Sequence, residues 1–199
     1  LIGNFGDNIT INTAEIEKLL ANLPPDLSAE RRAIVTKACS LVGKVNYFWG
    51  GKSSAIGWDN RWGTPAKVTA PGSRTTGTVR PFGLDCSGFV DWVFNNACGY
   101  ILGQGGGAHA QHNNCTDITF TEVLPGDLLF YPDDSHVGIA AGRDKNGEIL
   151  VIHCASGYNN VVLTTAKGFT SAGRAVEKES FLQFATAKVL FMTKSLTKV

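Results

Sequence analysis

The chain has 199 residues, 43% of them hydrophobic and 18% charged, and its 18 basic and 17 acidic residues leave a net charge of +1. That length can bury a full core, and the charge balance excludes a general binder of nucleic acid or anionic membrane, since both need a basic excess overall or in a cluster. No stretch approaches the roughly 18 uninterrupted apolar residues of a membrane helix.

The chain begins at Leu1 without a methionine, as a trimmed mature protein or an excised piece of a longer one would. Residues 1–12 are polar and rich in Asn and read as a tail or linker. Thr13 to Asn22 predicts a short helix, stopped by Pro24-Pro25. Together 1–27 form an N-terminal tail with one short helix, and 28–199 form a single domain. In that domain Ser28 caps a longer helix whose Ile34, Val35, Ala38, Leu41 and Val42 share a face, with Gly43 as its stop.

Val45 to Gly51 is an aromatic run closed by paired glycines, and its composition favours a core strand. From Lys52 to Leu84 periodicity is lost. This segment carries five basic residues and one acidic one, so it stands at +4 while the rest of the chain stands at −3. A loop of that length in a compact domain is usually functional or disordered. The cluster Trp58-Asp59-Asn60-Arg61-Trp62 argues for an ordered groove wall.

Asp85-Cys86-Ser87-Gly88 then opens a helix with apolar residues at 89, 90, 93, 94 and 97. A cysteine in a first helical turn lies against unsatisfied backbone N–H groups and the positive end of the helix dipole, which favours thiolate over thiol. The five cysteines are odd in number and include no C-x-x-C pair, so they form no disulfide framework. Gly103 to Gly107 has no following Lys-Ser/Thr and is discarded as a phosphate loop. His109, His112 and Cys115, spaced by three, invite a zinc site, but without a second pair a solvated short helix is the better reading.

Beyond Glu122 the pattern becomes strand-like. Leu128–Tyr131, His136–Ala141, Glu148–His153, Val161–Thr164 and Lys188–Met192 are predicted strands, with Asn146-Gly147 as a hairpin turn. Helices followed by an antiparallel sheet indicate an α+β fold. His136 opens one hairpin strand and His153 closes the other, so both fall at its open end. One imidazole can then serve a nucleophile as base while the other fixes its tautomer.

Taken in order, Tyr47-Phe48-Trp49-Gly50-Gly51, Asp85-Cys86-Ser87-Gly88-Phe89-Val90, Pro125-Gly126-Asp127-Leu128, Ser135-His136-Val137-Gly138-Ile139 and Ile152-His153 resemble the NlpC/P60 family of bacterial cell-wall cysteine peptidases. The resemblance implies a papain-like α+β fold, with N-terminal helices on a central antiparallel sheet of about five to six strands. It also implies hydrolysis of peptidoglycan stem peptides between γ-linked D-glutamate and the following diamino acid. Cys86 matches the nucleophile, His136 the base and His153 the residue that orients it. Tyr47 matches a tyrosine beside the nucleophile. Asp85 and Ser87 match positions that hold the L-alanine ammonium in members requiring a free stem N-terminus. The expected mechanism is a thiolate paired with an imidazolium, needing no metal or cofactor.

The segment at about 52–84 departs from the family in its length. Its basic residues, Arg61 among them, are expected to meet stem carboxylates, with Trp58 or Trp62 flanking the peptide. The expected partners are stem peptides, met by a monomer that is secreted or attached to the wall. The alternatives are an amidase of the CHAP type cutting before L-alanine, a non-catalytic wall-binding module on the same fold, and an intracellular or phage-borne effector.

Overall fold

The structure, a computed structural model, describes residues 13–176. The tail expected at 1–12 and the strand expected at Lys188–Met192 lie outside the described residues. Two N-terminal helices come first, α1 (Thr13–Ala21) and α2 (Ala29–Ser40). Ser28 caps α2, its hydroxyl accepting the Arg31 N–H at 3.3 Å, and Ile34, Val35, Ala38 and Cys39 are buried along one face. The chain then turns at Gly43, whose φ of 75° suits a residue without a side chain.

The Val45–Gly51 run is not a strand. Tyr47 makes a single parallel bridge to Leu84, with Phe48 N–H donating to Leu84 O and Leu84 N–H to Asn46 O. The reason is steric and local. A Cβ on Gly83 would lie 1.9 Å from Asn46 O, and one on Gly51 would lie 2.3 Å from Gly83 O. Two stretches of backbone thus approach more closely than side chains would permit, and the chain turns instead of continuing a ladder.

The 52–84 segment is ordered. It forms a short hairpin, β1 (Pro65–Lys67) with β2 (Val79–Pro81). It also carries its own aromatic seam: Trp62 is buried, edge-to-face with Trp58 at 4.9 Å and with Trp92 at 5.6 Å. Trp92 belongs to α3 (Cys86–Cys98), so the seam docks the insertion on that helix. Gly57 strengthens the docking, its carbonyl accepting from Trp92 Nε1 at 3.1 Å and its N–H donating to Asn96 at 2.6 Å.

After α3 come α4 (Ala108–His112), β3 (Cys115–Ile118), β4 (Leu128–Phe130), β5 (Val137–Arg143), β6 (Ile149–Ala155), β7 (Asn160–Thr165) and β8 (Ser171–Ala175). The six strands form one antiparallel sheet in the order β3-β8-β4-β5-β6-β7. Helices α2 and α3 cover one face, enclosing a core that includes Val35, Phe89, Val93, Leu128, Ile139 and Ile152. A smaller cluster around Leu129, Val151 and Phe169 lies on the other face.

Asp127, just before β4, is almost fully buried and ties the layers together. Its carboxylate accepts from Arg31 of α2 at 2.9 Å and from Arg174 of β8 at 3.0 and 2.8 Å. Two strands depart from expectation. Cys115 opens β3 rather than sharing a helical face with His109 and His112. Strand β8, Ser-Ala-Gly-Arg-Ala, lacks every β-branched or aromatic residue that marks a strand in sequence. It lies between β3 and β4 because small residues fit there; a Cβ on Gly173 would lie 2.7 Å from that of Cys115.

Candidate active site

Helix α3 begins at Cys86 with Asp85 as its N-cap, the carboxylate accepting the Gly88 N–H at 2.6 Å. Gly88 has to be glycine, since a Cβ there would lie 2.1 Å from Gly51 O. That carbonyl also accepts the Asp85 N–H at 3.1 Å, so the end of the aromatic run is clamped against the first turn of the helix.

Hairpin β5–β6 brings the two histidines together. The register pairs Ile139 with Ile152, which puts His153 one step further, opposite Gly138, and His136 at the strand's mouth on the same face. A Cβ on Gly138 would lie 3.0 Å from that of His153, so the glycine leaves the ring room to lean outward. His136 Nε2 and His153 Nδ1 are 2.7 Å apart, and His153 Nε2 is 2.9 Å from Thr164 Oγ1.

The far end of this chain fixes the direction of every proton in it. Thr164 Oγ1 donates to the Thr165 carbonyl at 2.9 Å, so toward His153 the hydroxyl oxygen must accept. His153 therefore carries its proton on Nε2 and accepts at Nδ1, and His136 carries its proton on Nε2, leaving Nδ1 as a bare base. Thr164 has no motif to announce it, and only the strand register, which sets it on the same face as His153, makes it visible.

The thiol does not behave as its helix position suggests. Burial pushes Cys86 up to about 11, with the Asp85 charge adding to the rise, while the Val137 and Ser87 backbone N–H groups and the Lys52 charge pull the other way. Burial also lowers His136 to about 4, against the Asp85 charge, and lowers His153 to about 3, with His136 adding to the fall. Burial thus favours the neutral thiol at Cys86 and the neutral imidazole at His136. That direction opposes the thiolate expected from the helix position, since removal from water next to a carboxylate works against a single helix turn. Tyr47 is raised by burial and then by the charges of Cys86 and Asp85, which locates its phenol near the sulfur.

A cavity of about 390 Å³ opens beside Cys86, lined among others by Asp85, Ser87, Trp49, Pro71, Gly106 and Ser135. The insertion contributes Ala70 and Pro71 to the wall, and Lys52 as well. The other insertion residues expected at the substrate lie elsewhere. Trp62 is in the seam on α3, and Arg61 is engaged by Asp59 at 2.6 Å with its guanidinium 4.9 Å from the Phe82 ring centre. Neither Trp62, Arg61 nor Trp58 lines the cavity. The glycine loop that lines the cavity is held from within by Asp91. Its carboxylate accepts from Gly103 N–H at 2.7 Å, Gly105 N–H at 3.1 Å and Gln111 Nε2 at 2.8 Å. His109 and His112 both bond Asp134, at 2.8 and 2.6 Å, bracing the turn before His136.

The NlpC/P60 family model matches residues 43–176, a span that holds every element of this site. The chain belongs to the NlpC/P60 family. It is 32% identical over 120 residues to a probable endopeptidase of Mycobacterium tuberculosis, covering 60% of this chain and 23% of that protein. It is 31% identical over 121 residues to the peptidoglycan DL-endopeptidase CwlO of Bacillus licheniformis, covering 59% and 21%. The chain thus spans less than a quarter of the length of these curated relatives. Among solved structures, the NlpC/p60 domain of the peptidoglycan hydrolase SagA superposes with a TM-score of 0.51 at 26% identity, over 72% of this chain and 97% of that one. RipD of Mycobacterium tuberculosis, described as a non-catalytic NlpC/p60 protein, shares the fold at 18% identity with a TM-score of 0.53, over 75% and 99%. Family membership alone therefore does not decide catalysis, and the reaction has to be argued from this chain's own residues.

Proposed function

We propose that this NlpC/P60 domain is a cysteine peptidase that cleaves peptidoglycan stem peptides at the bond between γ-linked D-glutamate and the diamino acid, at the wall or outside the cell. The observation that carries the reading is the 2.7 Å contact between His136 and His153 at the mouth of β5–β6, with the Val137 N–H next in the chain turned to the Cys86 sulfur. The DL-endopeptidase CwlO and the hydrolase SagA support the same substrate class by similarity.

His136 Nδ1 takes the thiol proton as Cys86 Sγ bonds to the D-glutamyl γ-carbonyl carbon, and the oxyanion faces the Cys86 backbone N–H at the α3 N-terminus. The tetrahedral centre collapses by breaking its C–N bond. The diamino acid leaves as an amine carrying the proton that His136 returns, and a thioester remains on Cys86. Water then gives a proton to the same Nδ1 and attacks the thioester, releasing a carboxylate and restoring the thiol. His153 keeps its proton on Nε2 and supports the imidazolium that forms on His136 in each half.

Defined muropeptides incubated with the protein and with Cys86→Ala test this by mass. Release of the peptide that begins with the diamino acid, leaving L-alanyl-D-glutamate on the muramic acid, by the first and not the second is the expected result. Release of the intact stem from muramic acid would mark an amidase, and binding without any cleavage would mark a wall-binding module.

A further inference from the structure

The Lys52 ammonium is held by three oxygen acceptors drawn from two segments that line the cavity. Nζ donates to Asp85 Oδ1 at 2.9 Å, to Ser87 Oγ, and to Gly106 O at 3.3 Å. An ammonium has three N–H donors, so this one is saturated. The clamp is built rather than incidental. Lys52 follows Gly51, whose carbonyl is fixed against Asp85 N–H and the bare Cα of Gly88. Asp85 and Ser87 are buried in the first turn of α3 and bonded to each other at 3.0 Å. Gly106 sits in the loop that Asp91 holds through Gly103 and Gly105.

The Asp85 Oδ1 atom already receives Lys52, Ser87 and Gly88, so its lone pairs are spoken for. A second ammonium arriving at this end of the cavity would have to expel Lys52 or stand beside it, two like charges sharing one carboxylate. A neutral amide nitrogen carries no such penalty.

We propose that Lys52 is a specificity-determining residue that occupies the ammonium position at Asp85 and Ser87, so that the substrate is a stem peptide whose N-terminal nitrogen is acylated rather than free. This rests on the proposed reading of the site as a stem-peptide peptidase. Cys86, Asp85, Ser87 and Lys52 line one cavity, so an acyl-side peptide laid from Cys86 toward Asp85 ends against a site whose charge is already balanced. Intact strands, in which the first stem nitrogen is an amide, fit that requirement, and amino-terminal fragments trimmed by an amidase do not.

The test uses two synthetic stem peptides that differ only in a free or an acetylated N-terminus. Their binding to Cys86→Ala and to Cys86→Ala/Lys52→Met is measured by calorimetry, and their cleavage is measured with Cys86 intact. The acetylated peptide is expected to bind Cys86→Ala at least as tightly as the free one. Lys52→Met, which keeps the side chain's length and removes its charge, is expected to shift the preference toward the free amine by about tenfold. Tighter binding of the free amine to Cys86→Ala by tenfold or more overturns the inference, and so does failure of both peptides to bind. A preference that Lys52→Met leaves in place also overturns it. Lys52→Gln serves the same comparison should the methionine variant misfold. Binding with the expected preference but no cleavage by the Cys86 protein would leave Lys52 as the gate and remove the peptidase reading instead.

Discussion

His136 Nε2 lies 2.7 Å from His153 Nδ1, so a half-buried and a buried imidazole share one hydrogen bond, and only one of the facing nitrogens can carry its proton. Which one does is decided neither by His136 nor by His153, but by the Thr165 carbonyl, an oxygen that can only accept. The hydrogen bonds leave His136 Nδ1 as the nitrogen of this pair that carries no proton and accepts from neither partner.

The pH dependence follows from that neutrality. His136 acts as a base only when deprotonated, and burial lowers it to about 4, while the thiol is raised to about 11. The acid limb of kcat/KM is expected near the lower of these values, with a plateau across neutral pH. A thiolate–imidazolium pair, in which the thiol ionises below the histidine, would instead lose activity on the alkaline side as the imidazolium gives up its proton. Rates measured from pH 4 upward in one buffer series separate the two.

Thr164→Val removes the hydroxyl that orients His153 and leaves the shape nearly unchanged. His153 is then free to move its proton to Nδ1, which turns His136 Nε2 into an acceptor and takes the base away from the thiol side. A fall of about tenfold in kcat is expected with KM held, as is common for residues that act through another. Thr164→Ser, which restores the hydroxyl that accepts from His153, should recover the rate.

The parts of the site that sequence alone makes legible are those whose position is set by local rules. A cysteine after an N-capping aspartate starts a helix, and an Asn-Gly turn of known place brings the ends of its two strands together. What escapes is set by distant packing. Strand β8 has no strand-forming side chains and exists because its small residues fit between β3 and β4. Lys52 looks like one of five basic loop residues until the glycine contacts of Gly51 and Gly88 deliver it to Asp85. Trp62 looks like a substrate platform in sequence, and α3 buries it. The thiol's acidity is opposed from the same source, since the helix end is local while desolvation belongs to the whole fold.

Acid should weaken the fold through the same two imidazoles. Both are lowered by burial, His136 to about 4 and His153 to about 3, so below the ordinary histidine value of about 6.5 the unfolded chain binds more protons than the folded one. Their contribution to stability is complete above that value. It is lost progressively as pH falls toward the folded values. Thermal melts at pH 7, 6, 5 and 4 are expected to show a declining Tm, and His153→Phe, which keeps a ring without a titrating group, should flatten part of the decline. A Tm independent of pH over this range would contradict the burial of the pair.

Gly88→Ala tests the clamp that sets up both the nucleophile and Lys52. The added Cβ would lie 2.1 Å from the Gly51 carbonyl oxygen, a contact with backbone that no rotamer relieves. Either the first turn of α3 or the Gly50-Gly51 turn must move, at a cost of about 1–3 kcal/mol for overpacking a tight site. Because the Gly51 carbonyl also takes the Asp85 N–H, displacement loosens the residue that caps the helix and holds the ammonium. The expected outcome is a lower urea midpoint together with loss of peptide cleavage out of proportion to the fraction unfolded. Gly157→Ala, in the β6–β7 turn where a Cβ meets nothing within 4 Å, should leave both nearly unchanged. That contrast assigns the effect to the contact with Gly51 rather than to the loss of a glycine.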